Sequence, residues 1–124
     1  MGQTSVYNIP QGKDAPEISV YRNINLGTTG VVAKALPGHI YSWKISNIAS
    51  TAVYVKIYDS ATAPTTSNTP IMTIAFPPNW FDDAVFDKGI PFVNGIAFRA
   101  STAPADTDAT APAANQVMIN VEYT

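Results

Sequence analysis

The stretch Ile40-Tyr41-Ser42-Trp43-Lys44-Ile45-Ser46, followed after a short connection by Val53-Tyr54-Val55-Lys56-Ile57-Tyr58, decides the fold class. Apolar and polar residues alternate in both segments with the period of two that a β-strand imposes. Tyr41, Trp43 and Ile45 share one face of the first segment. Val53, Val55 and Ile57 share one face of the second, and Tyr54, Lys56 and Tyr58 point away. Asn47 to Ala52 is short enough for a hairpin connection, and the spacing predicts one between these two strands.

Working outward, the same reading recurs. Val117, Ile119, Val121 and Tyr123 face inward on a closing strand, with Met118, Asn120 and Glu122 outward. Ile96 and Phe98 mark the core side of Gly95 to Ala100. Ile71 to Phe76 is a strand stopped by Pro77-Pro78, and Trp80 to Asp87 is another, ending before Gly89. Toward the N-terminus, Ile18, Val20, Ile24 and Leu26 alternate with Ser19, Tyr21, Asn23 and Asn25. Gly27 and Gly30 mark a turn, and Val31-Val32-Ala33 begins a short strand closed by Pro37-Gly38. Asp59 to Pro70 and Ala103 to Ala114 read as loops, the second with room for one helical turn. No long segment has helical periodicity. About eight short strands separated by Pro and Gly predict an all-β antiparallel sandwich of jelly-roll or immunoglobulin-like kind. Residues 1–16 form an extended N-terminal arm and residues 17–124 the sandwich domain.

Composition narrows the function classes. With 124 residues the chain suits one domain. There is no cysteine, which excludes disulfides, thiolate metal sites and cysteine nucleophiles. The formal net charge of -2 leaves no basic surplus for nucleic acid or anionic lipid. The first residues lack the basic and apolar regions of a signal peptide. No apolar run reaches the length of a membrane helix. Charged residues are only 13% of the chain, about half the usual share. Ser60 to Phe81 and Ala109 to Val121 contain none. Such neutral stretches suit either a hydrated Thr-rich surface or a subunit packed against neighbours.

The candidates for chemistry are few. His39 is the single histidine, and no Gly-x-Ser-x-Gly elbow accompanies it. Asp82, Asp83 and Asp87 match no calcium loop, and a polar strand edge is the simpler reading. Asp106 and Asp108 form a D-x-D pair whose default role is turn formation. Gly27-Thr28-Thr29-Gly30 is no phosphate loop, because no Lys-Ser/Thr follows it. Hence no catalytic residue, metal ligand or cofactor site is expected, and the chain does not read as an enzyme. Trp80 and Phe81, after two prolines, have three readings: a sugar-stacking platform, an interface anchor, or a cap on the core. Tyr54 and Tyr58, on the far face of their strand, could line a second buried surface or a subunit contact. Val6, Tyr7, Ile9 and Pro10 form an apolar knot in the arm, suited to pairing with a sheet edge. The expected interface residues are therefore Val6, Tyr7, Ile9, Pro10, Trp80 and Phe81.

A family resemblance enters at Val55-Lys56-Ile57-Tyr58-Asp59. That strand, the loop Ala61-Thr62-Ala63-Pro64-Thr65 and the segment Thr69-Pro70-Ile71-Met72-Thr73-Ile74 resemble elements of small virion proteins of tailed bacteriophages. Gly89-Ile90-Pro91-Phe92 with Asn94-Gly95-Ile96-Ala97 is similar to their G-I-x-F-x-x-G-[IL]-A element. Ala105-Asp106-Thr107-Asp108 and the closing strand Asn115 to Tyr123 complete the likeness, which spans residues 39–124. Such proteins are capsid decoration (cement) proteins or other small structural parts of the particle. The resemblance implies a β-sandwich, a homotrimer or similar cluster, a place on the capsid surface of the virion, the major capsid protein as partner, and no enzymatic role. A receptor- or carbohydrate-binding module of a tail or fibre is the alternative, motivated by Trp80, Phe81 and the tyrosines.

Overall fold

The computed structural model describes residues 4–9 and 17–124, and within 4–9 the side chain of Val6 alone. Among the described residues nine strands are formed: β1 (Thr4–Ile9), β2 (Ile18–Asn23), β3 (Val31–Lys34), β4 (Gly38–Asn47), β5 (Val53–Asp59), β6 (Met72–Phe76), β7 (Trp80–Phe92), β8 (Ile96–Ser101) and β9 (Val117–Tyr123). They build two antiparallel sheets with strand orders β1-β2-β9-β4-β7 and β3-β8-β5-β6. No helix occurs among the described residues. Without β1, the eight remaining strands divide four and four, and the chain changes sheet at every connection except β5 to β6. That interleaving is a jelly roll, the first of the two sandwich types expected. The arm segment Thr4–Ile9 lies antiparallel along β2, with Val6 opposite Tyr21.

The core fills the space between the sheets. Ile40, Trp43, Ile45, Val117, Ile119 and Val121 contribute from the first sheet, and Val53, Val55, Ile57, Phe76, Ile96 and Phe98 from the second. All four inward residues expected on β9 are buried, as are Ile96 and Phe98 of β8. Tyr21 stacks on Phe98 with ring centroids 6.0 Å apart, which ties β2 to the opposite sheet.

The expected β4–β5 hairpin is overturned. These strands belong to different sheets, and the chain arches across the sandwich between them. Buried Asn47 fixes the corner. Its Nδ2 donates to the carbonyls of Thr51 (3.0 Å), Phe76 (3.2 Å) and Pro77 (3.1 Å), and its Oδ1 accepts the Ala49 N–H (2.9 Å). Alternation fixes which face of a strand is apolar, not which strand it pairs with. Here the two apolar faces confront each other across the core, and β5 pairs instead with β6 and β8.

Three further expectations are corrected. On β2 the inward residues are Tyr21 and Asn23, while Ile18 and Val20 are half-buried. The strand stops at Asn23, whose Oδ1 accepts the Asn25 N–H (2.8 Å) in a local turn. Leu26 is buried, but beyond the strand. On β4 a register shift between Ile40 and Ser42 turns Ile40 inward and leaves Tyr41 half-exposed. On β7 the strand continues past Gly89 to Phe92. Tyr41 stands opposite the segment Phe86 to Gly89, so β7 carries a large bulge there. Gly89 adopts φ 76°, and a Cβ on it would lie 2.9 Å from Tyr41 Cε1. The bulge needs a glycine, so the glycine sits inside the strand rather than ending it.

Candidate functional site

The two outer faces of the sandwich differ. The outer face of the five-stranded sheet is open. Across it run three rows: Phe81–Ser46–Met118, Asp83–Lys44–Asn120 and Val85–Ser42–Glu122. The Ser42 hydroxyl donates to the Glu122 carboxylate. Ser42, Ser46 and Asn120 share the middle with Lys44, Met118 and Glu122, and β7 borders it with Phe81 and Val85 on either side of Asp83.

β7 is the terminal strand of its sheet, so one side of its backbone has no strand partner among the described residues. Its solvent-facing side chains mix apolar Phe81 and Val85 with Asp83, Asp87, Lys88 and Pro91, the charges and proline that commonly guard an edge. Phe81 is 69% exposed and Val85 76% exposed. Trp80, at the start of the strand, is 57% exposed, which sets aside its reading as a core cap. The Pro77-Pro78-Asn79 turn presents it. Asn79 takes a left-handed φ of 54°, which Asn tolerates, and its N–H donates to the Ala49 carbonyl at 3.2 Å. Trp80 and Phe81 with Ser46, Asn47, Ile48 and Asn79 line an open groove of about 220 Å³. The Asn47 amide is already occupied by the arch, so Ser46, Asn79 and the indole N–H are the polar side-chain groups left to a ligand.

The other expected interface residues lie in the arm. Val6 is 56% exposed. Tyr7 and Ile9 fall in β1, but their side chains, like the whole of Pro10, lie outside the described residues.

The acidic residues are not gathered. Asp82 turns inward and its Oδ2 accepts the Trp43 indole N–H at 2.8 Å, while Asp83 faces solvent. Phe86 meets the same indole edge-on, with centroids 4.8 Å apart. Among the described residues no group of three or more His, Asp or Glu side chains is placed to hold a metal ion. His39 lies in β4, half-buried, with its ring stacked on Tyr41 at 5.9 Å.

The second outer face is covered over β5 and β8, which the sequence did not show, while Thr73 and Ala75 of β6 stay exposed. Lys56, Tyr58, Arg99 and Ser101 point away from the core yet are fully buried beneath the 102–110 loop. Lys56 and Arg99 even stand directly opposite each other on β5 and β8. Like charges so placed repel, and carbonyl oxygens resolve the conflict. Arg99 donates to Thr28 O (2.8 Å), Tyr58 Oη (3.0 Å) and Asp108 O (2.9 Å). Lys56 donates to Ala105 O. Burial first, and then Arg99, push the Lys56 ammonium below its ordinary pKa, against the attraction of Asp108 and Asp106. The D-x-D pair does the expected turn work through Asp108, whose carboxylate accepts the Ala103 N–H (3.1 Å) and the Thr110 hydroxyl (3.1 Å). Desolvation pushes its carboxyl up, but the hydrogen bonds from Thr110 and Ala103 outweigh that and hold it below the ordinary range. The suggestion that Tyr58 lines a second buried surface was the one available signal.

Comparison with known proteins gives no match to any family model, curated protein or solved structure.

Proposed function

We propose that this protein is a structural component of a bacteriophage particle, one that decorates and braces the capsid by bridging neighbouring shell subunits. The observation that carries the reading is the β7 border. It joins a strand edge with no strand partner among the described residues to Trp80, Phe81 and Val85, all more than half exposed. Asp83 separates Phe81 from Val85 on that face, and the exposed Trp80–Phe81 pair at the start of the strand is the apolar patch that marks an interaction surface. Jelly rolls occur in viral capsid domains and in lectins alike, so the fold leaves the choice to the site. The strand-and-turn likeness over residues 39–124 supports the particle reading. In a shell, many symmetric weak contacts add up, and each bridging subunit contributes avidity without high affinity of its own.

The test is co-sedimentation of the purified protein with phage particles stripped of it. Wild type is expected to saturate the particles, and Trp80→Ala/Phe81→Ala to lose most binding while keeping its circular dichroism. Equal binding by wild type and variant overturns the assignment of this surface. No binding by wild type overturns the function.

One observation favours a second reading, a carbohydrate-binding module of a tail or fibre. An exposed indole beside Asn79 and Ser46 in an uncharged groove has the make-up of a sugar-stacking site. Glycan-array binding that disappears in Trp80→Ala would support it, and silence across the array counts against it.

A further inference from the structure

The chain contains a single Asn-Gly dipeptide, Asn94–Gly95, in the turn between β7 and β8, with Asn94 exposed and Gly95 buried. Asparagine is thermolabile, and a following glycine, with no side chain to hinder it, makes the pair the most reactive. The Gly95 nitrogen attacks Cγ of Asn94, the Cγ–Nδ2 bond breaks, and ammonia leaves with the proton lost by Gly95. Water then opens the ring to aspartate or isoaspartate. Neither oxidant nor reductant is needed.

The fold requires the glycine. A Cβ at position 95 would lie 2.5 Å from both Lys34 O and Ser60 O. These are backbone atoms that cannot swing aside, so the vulnerable pair cannot be removed by changing its second residue. The attacking nitrogen, however, is occupied. The Asp59 carboxylate, at the end of β5, accepts the N–H groups of Val93 (3.1 Å), Asn94 (2.7 Å) and Gly95 (3.3 Å). On the other side the Gly95 carbonyl accepts the Ser60 N–H at 3.1 Å. The Asn94–Gly95 peptide plane, which must rotate toward the Asn94 side chain, is thus held at its N–H, and the Gly95–Ile96 plane that follows is held at its carbonyl. The Asn94 N–H above all, helped by those of Val93 and Gly95, holds the Asp59 carboxyl below its ordinary pKa against desolvation. The acceptor is therefore ionised at neutral pH.

We propose that Asn94 is a self-modification site, a deamidating asparagine, which Asp59 keeps closed in the folded protein by holding the Gly95 nitrogen. The inference rests on the turn alone and is independent of the function proposed above. Its consequence is local: isoaspartate would insert a backbone atom into the turn and place a second carboxylate beside Asp59.

The experiment follows the amide-to-acid mass change in the peptide spanning Asn94 during incubation in mildly alkaline buffer. Wild type is compared with Asp59→Ala, with Asp59→Asn, which retains one acceptor oxygen, and with Val121→Ala, a core variant remote from the turn. Wild type unfolded in urea sets the unprotected rate. Folded wild type is expected to react at least about tenfold more slowly than in urea, a factor within reach of one lost charge-assisted hydrogen bond. Asp59→Ala should approach the urea rate, Asp59→Asn should fall between, and Val121→Ala should stay near wild type. Folded wild type reacting as fast as the urea sample overturns the proposal, whatever the variants do. So does Asp59→Ala reacting as slowly as wild type, or Val121→Ala accelerating equally, since general loosening would then be the cause.

Discussion

Replacing Arg99 with Met tests how the loop layer is held. The side chain is fully buried and no carboxylate side chain is among its three acceptors; they are two backbone carbonyls and one phenol. Methionine fills similar volume but donates nothing. Thr28 O and Asp108 O then lose their donor inside a covered space, and the 102–110 loop loses one of its tethers, beside those from Lys56 and Ser101. Each hydrogen bond to a charged group contributes about 1.5–3 kcal/mol, but the three are not additive. Part of the loss is returned, because the variant no longer buries a guanidinium opposite Lys56. Each buried acceptor left unsatisfied costs about 1–3 kcal/mol, and for the set we expect a net loss of about 3–5 kcal/mol. In a chain of this size it lowers Tm by roughly 10–20 °C. Urea unfolding followed by tryptophan fluorescence should show the midpoint falling by roughly 2–3 M with the slope unchanged. Arg99→Lys, which keeps the charge but not the fork of donors, should fall between. A loss below about 1 kcal/mol for Arg99→Met would show that the loop is held by packing, and the argument from hydrogen bonds would fail.

Other consequences are as direct. Lys56→Met should cost far less than Arg99→Met, within about 1 kcal/mol of wild type at neutral pH, because burial and Arg99 already disfavour the ammonium. The pH dependence has a definite sign. The folded-state pKa of Lys56 is depressed, so folding releases a proton, and wild type should gain on Lys56→Met as pH rises from the folded pKa to the ordinary lysine value. A flat difference in unfolding free energy across alkaline pH contradicts this. Asp82→Ala leaves the buried Trp43 indole N–H without its acceptor and should cost about 1–3 kcal/mol by urea denaturation; Asp83→Ala, one residue on and facing solvent, should stay within about 0.5 kcal/mol. Trp80→Ala and Phe81→Ala should each leave Tm almost unchanged, since both side chains lie mostly in water.

Much of this fold is legible in the residues, for identifiable reasons. On β9 every second residue is apolar and every one of them is buried, because a strand with one face on a core leaves the pattern no freedom. Strand pairing was less legible. Val53, Val55 and Ile57 look the same whether β5 pairs with β4 or faces it, and the arch rests on the contacts of Asn47 with residues thirty positions away. The β2 pattern misled because Tyr21 and Asn23 read as polar, yet Asn23 Nδ2 donates to the Tyr21 hydroxyl (3.3 Å) and the pair is buried together. Burial raises the Tyr21 phenol pKa, which the Asn23 bond only partly offsets. Lys56 reads as a solvent-facing charge, since local pattern does not show that a loop about fifty residues on will cover it. At the candidate site, Trp80 was visible as a residue after a proline turn. Its exposure depends on which way that turn aims it, and this the structure supplies.

The central claim is that the protein braces a particle shell. The most direct measurement is its copy number in purified phage particles, by quantitative peptide mass spectrometry against the major capsid protein. A ratio near one, or a simple symmetric fraction of it, is what the account predicts. Complete absence from the particles would contradict it, and a handful of copies per particle would move the protein to a vertex or tail and favour the receptor-binding reading instead.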